Sequence, residues 1–154
     1  MAGARTYGAS YAAAATTTAT DLFEITCAAD RPIAIIGWSI YQTTDLGDSA
    51  EEVLDLTVQT GVTAGSGGTS ITPFDVSSRG EVASDSTCNR SVTTAHTGGT
   101  VRFRKGWNIR PPDDFWLPPE LYIYCDAGTD PVTLTMTAPA DSITVGGAIY
   151  WLEF

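Results

Sequence analysis

The run Pro32-Ile33-Ala34-Ile35-Ile36-Gly37-Trp38-Ser39-Ile40-Tyr41-Gln42 constrains this chain more than any other segment. At period two, Ile33, Ile35, Gly37, Ser39 and Tyr41 share one face. Ala34, Ile36, Trp38, Ile40 and Gln42 share the other. Both faces are largely apolar and the residues favour strands, which predicts a central strand covered on both sides. Dense β-branching and a mid-run Gly37 argue against a helix. After the turn Thr43-Thr44-Asp45-Leu46-Gly47-Asp48, the residues Leu54, Leu56 and Val58 alternate with Asp55, Thr57 and Gln59. That is the pattern of a strand with one wet face. A covered strand followed by a half-exposed one predicts the antiparallel core of a β-sandwich.

The rest of the chain extends this pattern. Strands are expected near Leu22 to Cys27, Arg90 to Ala95, Leu121 to Asp126, Val132 to Ala138 and Ile143 to Phe154. Ile71 to Val76 reads as a short edge strand, because it holds Pro73 and sheets admit proline mainly at edges. In Thr100 to Arg110, the residues Val101, Phe103, Trp107 and Ile109 face one way and Arg102, Arg104, Asn108 and Arg110 the other, with Lys105 interrupting the apolar side. In the last strand Ala148, Tyr150, Leu152 and Phe154 oppose Ile149, Trp151 and Glu153, so apolar residues lie on both faces. Such a strand is buried in the core or covered by a neighbouring subunit. The total is about eight or nine strands with no convincing helix. The expected fold is all-β, a two-sheet antiparallel sandwich of jelly-roll type.

Residues 1–20 are Ala, Thr, Gly and Ser with Tyr7 and Tyr11 interleaved. They offer little apolar surface against their ordering entropy, so a flexible arm is expected there, with the sandwich domain over residues 21–154. Tyr7 and Tyr11 are its candidate anchors on a partner. Gly61 to Ser70 is expected to be a flexible loop; its Gly65-Ser66-Gly67-Gly68 lacks the lysine and following helix of a phosphate-binding loop. Pro111-Pro112-Asp113-Asp114 ends a strand, and the Phe115-Trp116-Leu117 that follows is either core edge or exposed contact surface.

Little in the sequence points to catalysis. Charged residues make up 17% of the chain, against about 25% in ordinary soluble domains, as in proteins whose surface meets another protein. The net charge of −10 disfavours attraction to nucleic acid or an anionic membrane. No apolar run reaches the ~18 residues of a membrane helix, and no signal-peptide pattern is evident. His96 is the lone histidine and has no local nucleophile or ligand motif. Gly-x-Ser-x-Gly, His-x-x-x-His and Cys-x-x-Cys are all absent, so no catalytic residue, metal or cofactor is expected. The acidic group Asp45, Asp48, Glu51, Glu52 and Asp55 lacks EF-hand spacing and reads as a solvated turn. Cys27, Cys88 and Cys125 read as buried thiols of a protein assembled in a reducing compartment, the alternative being a Cys27–Cys125 bridge. Four of the eight basic residues (Arg102, Arg104, Lys105 and Arg110) fall within nine positions. They form either a solvated strand face or a patch for an acidic partner.

Several segments carry a family likeness. They are Ala28-Ala29-Asp30-Arg31-Pro32, Gly37 to Gln42, Asp45 to Glu52, Gly61 to Thr69, and Ala138-Pro139-Ala140-Asp141-Ser142-Ile143-Thr144. Together they resemble small β-sandwich proteins encoded among the head genes of tailed bacteriophages and prophages, the head decoration or cement proteins. The resemblance covers residues 22–72 and 138–154, about half the chain, and its motifs are structural. It implies a viral structural protein on the capsid exterior, assembled in the host cytoplasm, with the major capsid protein as partner and a homotrimeric state. Contact with the capsid or between subunits is then expected from Tyr7, Tyr11, Arg102, Arg104, Arg110, Phe115 and Trp116. The alternative is a phage tail or fibre accessory that binds host-surface glycans, with Trp116 or Tyr122 stacking on sugar rings.

Overall fold

The computed structural model describes residues 3–44, 51–77, 82–126, 128 and 131–154. Its strands are β1 (Arg5–Thr16), β2 (Thr20–Thr26), β3 (Ile33–Gln42), β4 (Val53–Thr63), β5 (Thr69–Ile71) and β6 (Phe74–Asp75). They continue with β7 (Thr87–Val92), β8 (Thr97–Asn108), β9 (Asp113–Trp116), β10 (Ile123–Cys125), β11 (Val132–Met136) and β12 (Ile143–Glu153). One 3-10 turn, Pro119–Leu121, precedes β10. The described residues thus hold twelve strands, more than the eight or nine expected, the surplus being pieces of two to four residues at sheet edges.

The pairing is nested. β1 pairs with β12 and β2 with β11, β3 with β9 and β10, and β4 with β8, all antiparallel. Pairing of β12 with β3 and of β11 with β4 then closes the two sheets. One runs β10-β3-β12-β1-β6 with β9 beside β3, and the other β5-β7-β2-β11-β4-β8. A long hairpin rolled up so that first meets last and second meets second-last is a jelly roll. Ile33, Ile35, Trp38, Ile40, Ile149 and Trp151 from the first sheet pack against Phe23, Ile25, Leu54, Leu56, Val58 and Leu134 from the second.

The arm expected over residues 1–20 is a strand instead. Arg5–Thr16 is hydrogen-bonded along β12 on one side and to β6 on the other. Ala and Gly are weak strand formers, so the order comes from this pairing and from Tyr7, Ala9 and Tyr11, all buried in the core. The register slips between Tyr11 and Ala14. There Gly146 lets the bulged backbone approach, since a Cβ at Gly146 would lie 2.9 Å from the Ala13 nitrogen.

The two apolar faces of the central strand also have a different origin from the one expected. Tyr150 pairs with Gly37 but Trp151 pairs with Ile35, leaving Ile36 as an extra, bulged residue. The bulge shifts the alternation, so Ile33 and Ile35 before it and Trp38 and Ile40 after it all point into one core. Ser39 and Tyr41 continue on the outer side. The Gly61 to Ser70 segment is likewise not a free loop. β4 runs to Thr63, Glu24 accepts a hydrogen bond from the Gly65 amide at 2.7 Å, and Ser66 bridges to Thr94. Ile71 to Val76 splits around Pro73 into β5 and β6, which join opposite sheets.

Candidate docking face

Three of the four tryptophans are buried; Trp116 is 56% exposed. It sits on β9, where alternation turns Phe115 into the core against Trp38, with ring centroids 4.9 Å apart, and Trp116 outward. The expected choice between core edge and contact surface for this segment is therefore resolved residue by residue. Phe115 and Leu117 pack inward, and Trp116 faces out.

Trp116 ends a row that crosses the outer face of the first sheet. Phe74 pairs with Gly8, Gly8 with Tyr150, Tyr150 with Gly37, and Gly37 with Trp116. The glycines are what let the rings lie down across the sheet. A Cβ at Gly8 would stand 2.7 Å from Phe74, and one at Gly37 would stand 2.7 Å from Trp116 and 2.6 Å from the Phe115 carbonyl. The rings cover the strand surface and each other. Trp116 stacks on Tyr150 at 5.0 Å, and Phe74 meets Tyr150 edge-on at 6.4 Å.

Rows that are uncharged apart from Asp114 flank the aromatic one. On one side Ser10, Ala148 and Ser39 lie in register, and Ser39 donates a short hydrogen bond to Asp114 at the end of the row. This floor and Tyr41 bound a shallow groove of about 360 Å³. On the other side Thr6, Leu152, Ala34 and Tyr124 lie in register, and Tyr124 stacks on Phe154 at 6.0 Å. Tyr41, Phe74, Trp116, Tyr124 and Phe154 are all at least one-third exposed. Along these rows Asp114 is the only charged side chain, on a molecule of net charge −10. This explains the doubly apolar last strand: Ile149 and Trp151 face the core, while Tyr150, Leu152 and Phe154 face this outer surface.

The other expected contact residues divide. Tyr7 and Tyr11 are buried in the core, Tyr11 also lining the shallow groove; burial pushes the Tyr11 hydroxyl up to about 12. Arg102 and Arg104 lie exposed on β8, and Arg110 lies exposed just beyond it. A register slip between Val58 and Gln59 makes Arg102 an extra residue, which leaves Val101 46% exposed instead of core-facing. The Arg102 Nε donates to the Thr60 hydroxyl at 2.8 Å. Lys105, which broke the apolar pattern in the sequence, turns inward. It bonds Asp113 at 2.5 Å and lies 4.5 Å from the Phe115 ring centroid. Asp113 also accepts from the Trp38 indole at 2.9 Å, so the charge pair is anchored to the core.

Two buried polar clusters had no local signal in the sequence. His96 Nδ1 lies 2.8 Å from Asp21, which also accepts from the His96 amide and the Thr135 hydroxyl, each at 2.8 Å. With Nδ1–H donating to Asp21, Nε2 is left to accept from the Gln59 amide at 2.7 Å. Every polar atom of the imidazole is engaged and its side chain is 7% exposed, so the cluster pins the β7–β8 turn to the sheet and leaves no free base. The second cluster is Glu153. Burial alone would raise its carboxyl, but hydrogen bonds from the Ser86 hydroxyl, the Asp85 amide, the Ser84 hydroxyl and the Ser86 amide outweigh it and hold it below the usual glutamate value.

All three cysteines are buried free thiols, as one of the two sequence readings had it. Cys125 as hydrogen-bond partner, then burial, push the Cys27 thiol up; burial does the same for Cys88. Such thiols are poor nucleophiles. Of the acidic group, Asp45 and Asp48 lie outside the described residues. Glu52 caps the Ala140 amide at 2.5 Å, and no His, Cys, Asp or Glu cluster suited to a metal occurs among the described residues. Among the described residues no helix is long and apolar enough to cross a membrane. No family model, curated protein or solved structure matches this chain.

Proposed function

We propose that this protein is a non-enzymatic viral structural module that binds the outside of a bacteriophage capsid, with the aromatic outer face of its first sheet against the major capsid protein. The observation that carries the docking role is the row Phe74–Gly8–Tyr150–Gly37–Trp116, bordered by rows in which only Asp114 is charged. A monomer rarely leaves a contiguous aromatic face to water unless something covers it. The capsid as partner rests on the resemblance of residues 22–72 and 138–154 to head decoration proteins, as does the trimeric arrangement. The acidic balance argues against a DNA-facing position inside the shell.

The glycan reading has weaker support. A sugar-binding platform needs open ring faces, whereas Tyr150 has one face against Trp116 and meets the Phe74 ring edge-on. Trp116 and Tyr124 are both more than half exposed, but each already has a ring face stacked, on Tyr150 and on Phe154. The test is to mix the protein with undecorated capsids, pellet them, and measure bound copies and rupture temperature. Wild type is expected to pellet and raise that temperature, and Trp116→Ala to lose at least tenfold in affinity while keeping its melting transition. Failure of wild type to pellet overturns the capsid reading, and a positive glycan array would then put the alternative first.

A further inference from the structure

We infer that the free edge of β8 accepts an acidic, extended segment of a partner protein as an added strand. This goes beyond the docking face: the edge belongs to the opposite sheet, and of that face only Tyr124, at its border, also lines the groove beside the edge.

The fold leaves its edges unequal. The first sheet ends in β6, of two residues, and in the three- and four-residue pieces β10 and β9. The second sheet ends in β5, of three residues, at one side. At the other side stands β8, twelve residues long and paired only with β4. Short edges cannot template another strand; a long one can. Backbone groups along β8 therefore face outward with no strand beside them among the described residues, most regularly over residues 103–108, beyond the left-handed Gly98 and Gly99 and the bulge at Arg102.

The charge on that edge selects the strand that fits. Arg102 and Arg104 lie along it, and among the described residues neither has a carboxylate within 4.0 Å. Two such edges, brought together from two copies, would set arginine against arginine, so self-pairing is opposed. An acidic segment meets the opposite sign and gains charge-assisted bonds in addition to the backbone ladder. The seat beside the edge is already shaped. A groove of about 420 Å³ runs between Arg102 and the chain from Leu121 to Asp126, where Leu121 and Tyr124 are more than half exposed. A strand alternating carboxylates with apolar side chains satisfies the arginines and the apolar wall of Leu121, Ile123 and Tyr124, provided its carboxylates lie on the arginine side, away from Asp126.

The test uses the full-length, isotope-labelled protein at low ionic strength. The probes are a capped ten-residue peptide alternating glutamate and valine, the same peptide N-methylated at alternate residues, and a lysine–valine peptide. The glutamate peptide is expected to slow exchange of the outward β8 amides at least tenfold. N-methylation, which removes the ladder but keeps the charge, is expected to abolish that protection. Arg102→Glu with Arg104→Glu is expected to lose the glutamate peptide at least tenfold and to gain the lysine peptide, a swap that misfolding would not produce. Trp116→Ala is expected to bind the glutamate peptide normally, which separates this site from the aromatic face. The inference is overturned if β8 stays unprotected, if the N-methylated peptide binds equally well, or if charge reversal leaves the preference unchanged.

Discussion

Replacing Glu153 with glutamine removes one charge and almost no volume, and its cost follows from the geometry around the carboxylate. One oxygen accepts from the Asp85 amide at 3.1 Å. The other accepts from the Ser84 hydroxyl at 2.8 Å, the Ser86 amide at 3.1 Å and the Ser86 hydroxyl at 2.7 Å. Serine hydroxyls can rotate to accept, but backbone amides cannot. Whichever way the glutamine amide is turned, its NH2 meets either the Asp85 or the Ser86 N–H, donor against donor, although the Ser86 N–H keeps the Ser84 hydroxyl as an acceptor at 3.1 Å. One N–H that loses its bond to residue 153, together with weaker neutral bonds in place of several charge-assisted ones, amounts to about 2–3 kcal/mol. For a chain of this size that is a fall in Tm of about 5–10 °C at pH 7. The pH dependence carries a second signature. The Glu153 carboxyl is held below its ordinary value in the folded state, so its contribution is complete above the unfolded glutamate pKa and is lost as pH falls through the folded one. The gap between wild type and Glu153→Gln is therefore expected to be full at neutral pH and to shrink below about pH 4. Thermal melts of both proteins from pH 7 to pH 3 give the answer. Equal Tm values at pH 7, or a gap that widens with acid, would refute this account of the cluster.

Three further outcomes follow from the fold. Deletion of residues 1–16, harmless if they were an arm, should abolish folding, because it strips β1 from between β12 and β6 and uncovers the core; a cooperative melt in the truncated protein would contradict this. Trp38→Ala should cost about 3–5 kcal/mol in chemical denaturation, since the ring is fully buried and its indole anchors Asp113. Gly37→Ala should lower stability and raise the fluorescence exposure of Trp116, because the new methyl would displace β9; an unchanged melt and spectrum would count against the packing described for that row.

Much of this architecture was legible as alternation. Leu54, Leu56 and Val58 gave the half-exposed strand, and the apolar density around Trp38 placed it in the core. What alternation cannot show is a bulge, because one extra residue at Ile36 exchanges the faces without leaving a mark in composition. The two apolar faces of that strand were thus a sign of a bulge read as a sign of double cover. β1 was missed for a related reason. Its alanines and glycine have little strand preference of their own, and its order is supplied by β12, more than a hundred residues away. Of the candidate site, Trp116 was visible as an aromatic beside prolines. The row it completes needs glycines and rings from five strands, and the Asp21–His96 pair spans 75 positions; neither has a local signature. Arg102 and Arg104 were visible as a charge cluster, but only the sheet order shows that they lie on the one long open edge.

The central claim is that the aromatic face of the first sheet docks on a viral shell, and electron cryomicroscopy of undecorated phage heads incubated with the protein tests it most directly. The account predicts added density on the outer surface, oriented so that Phe74, Tyr150 and Trp116 meet the capsid protein. Bare heads at saturating protein, or bound copies whose aromatic face points to solvent, would contradict it.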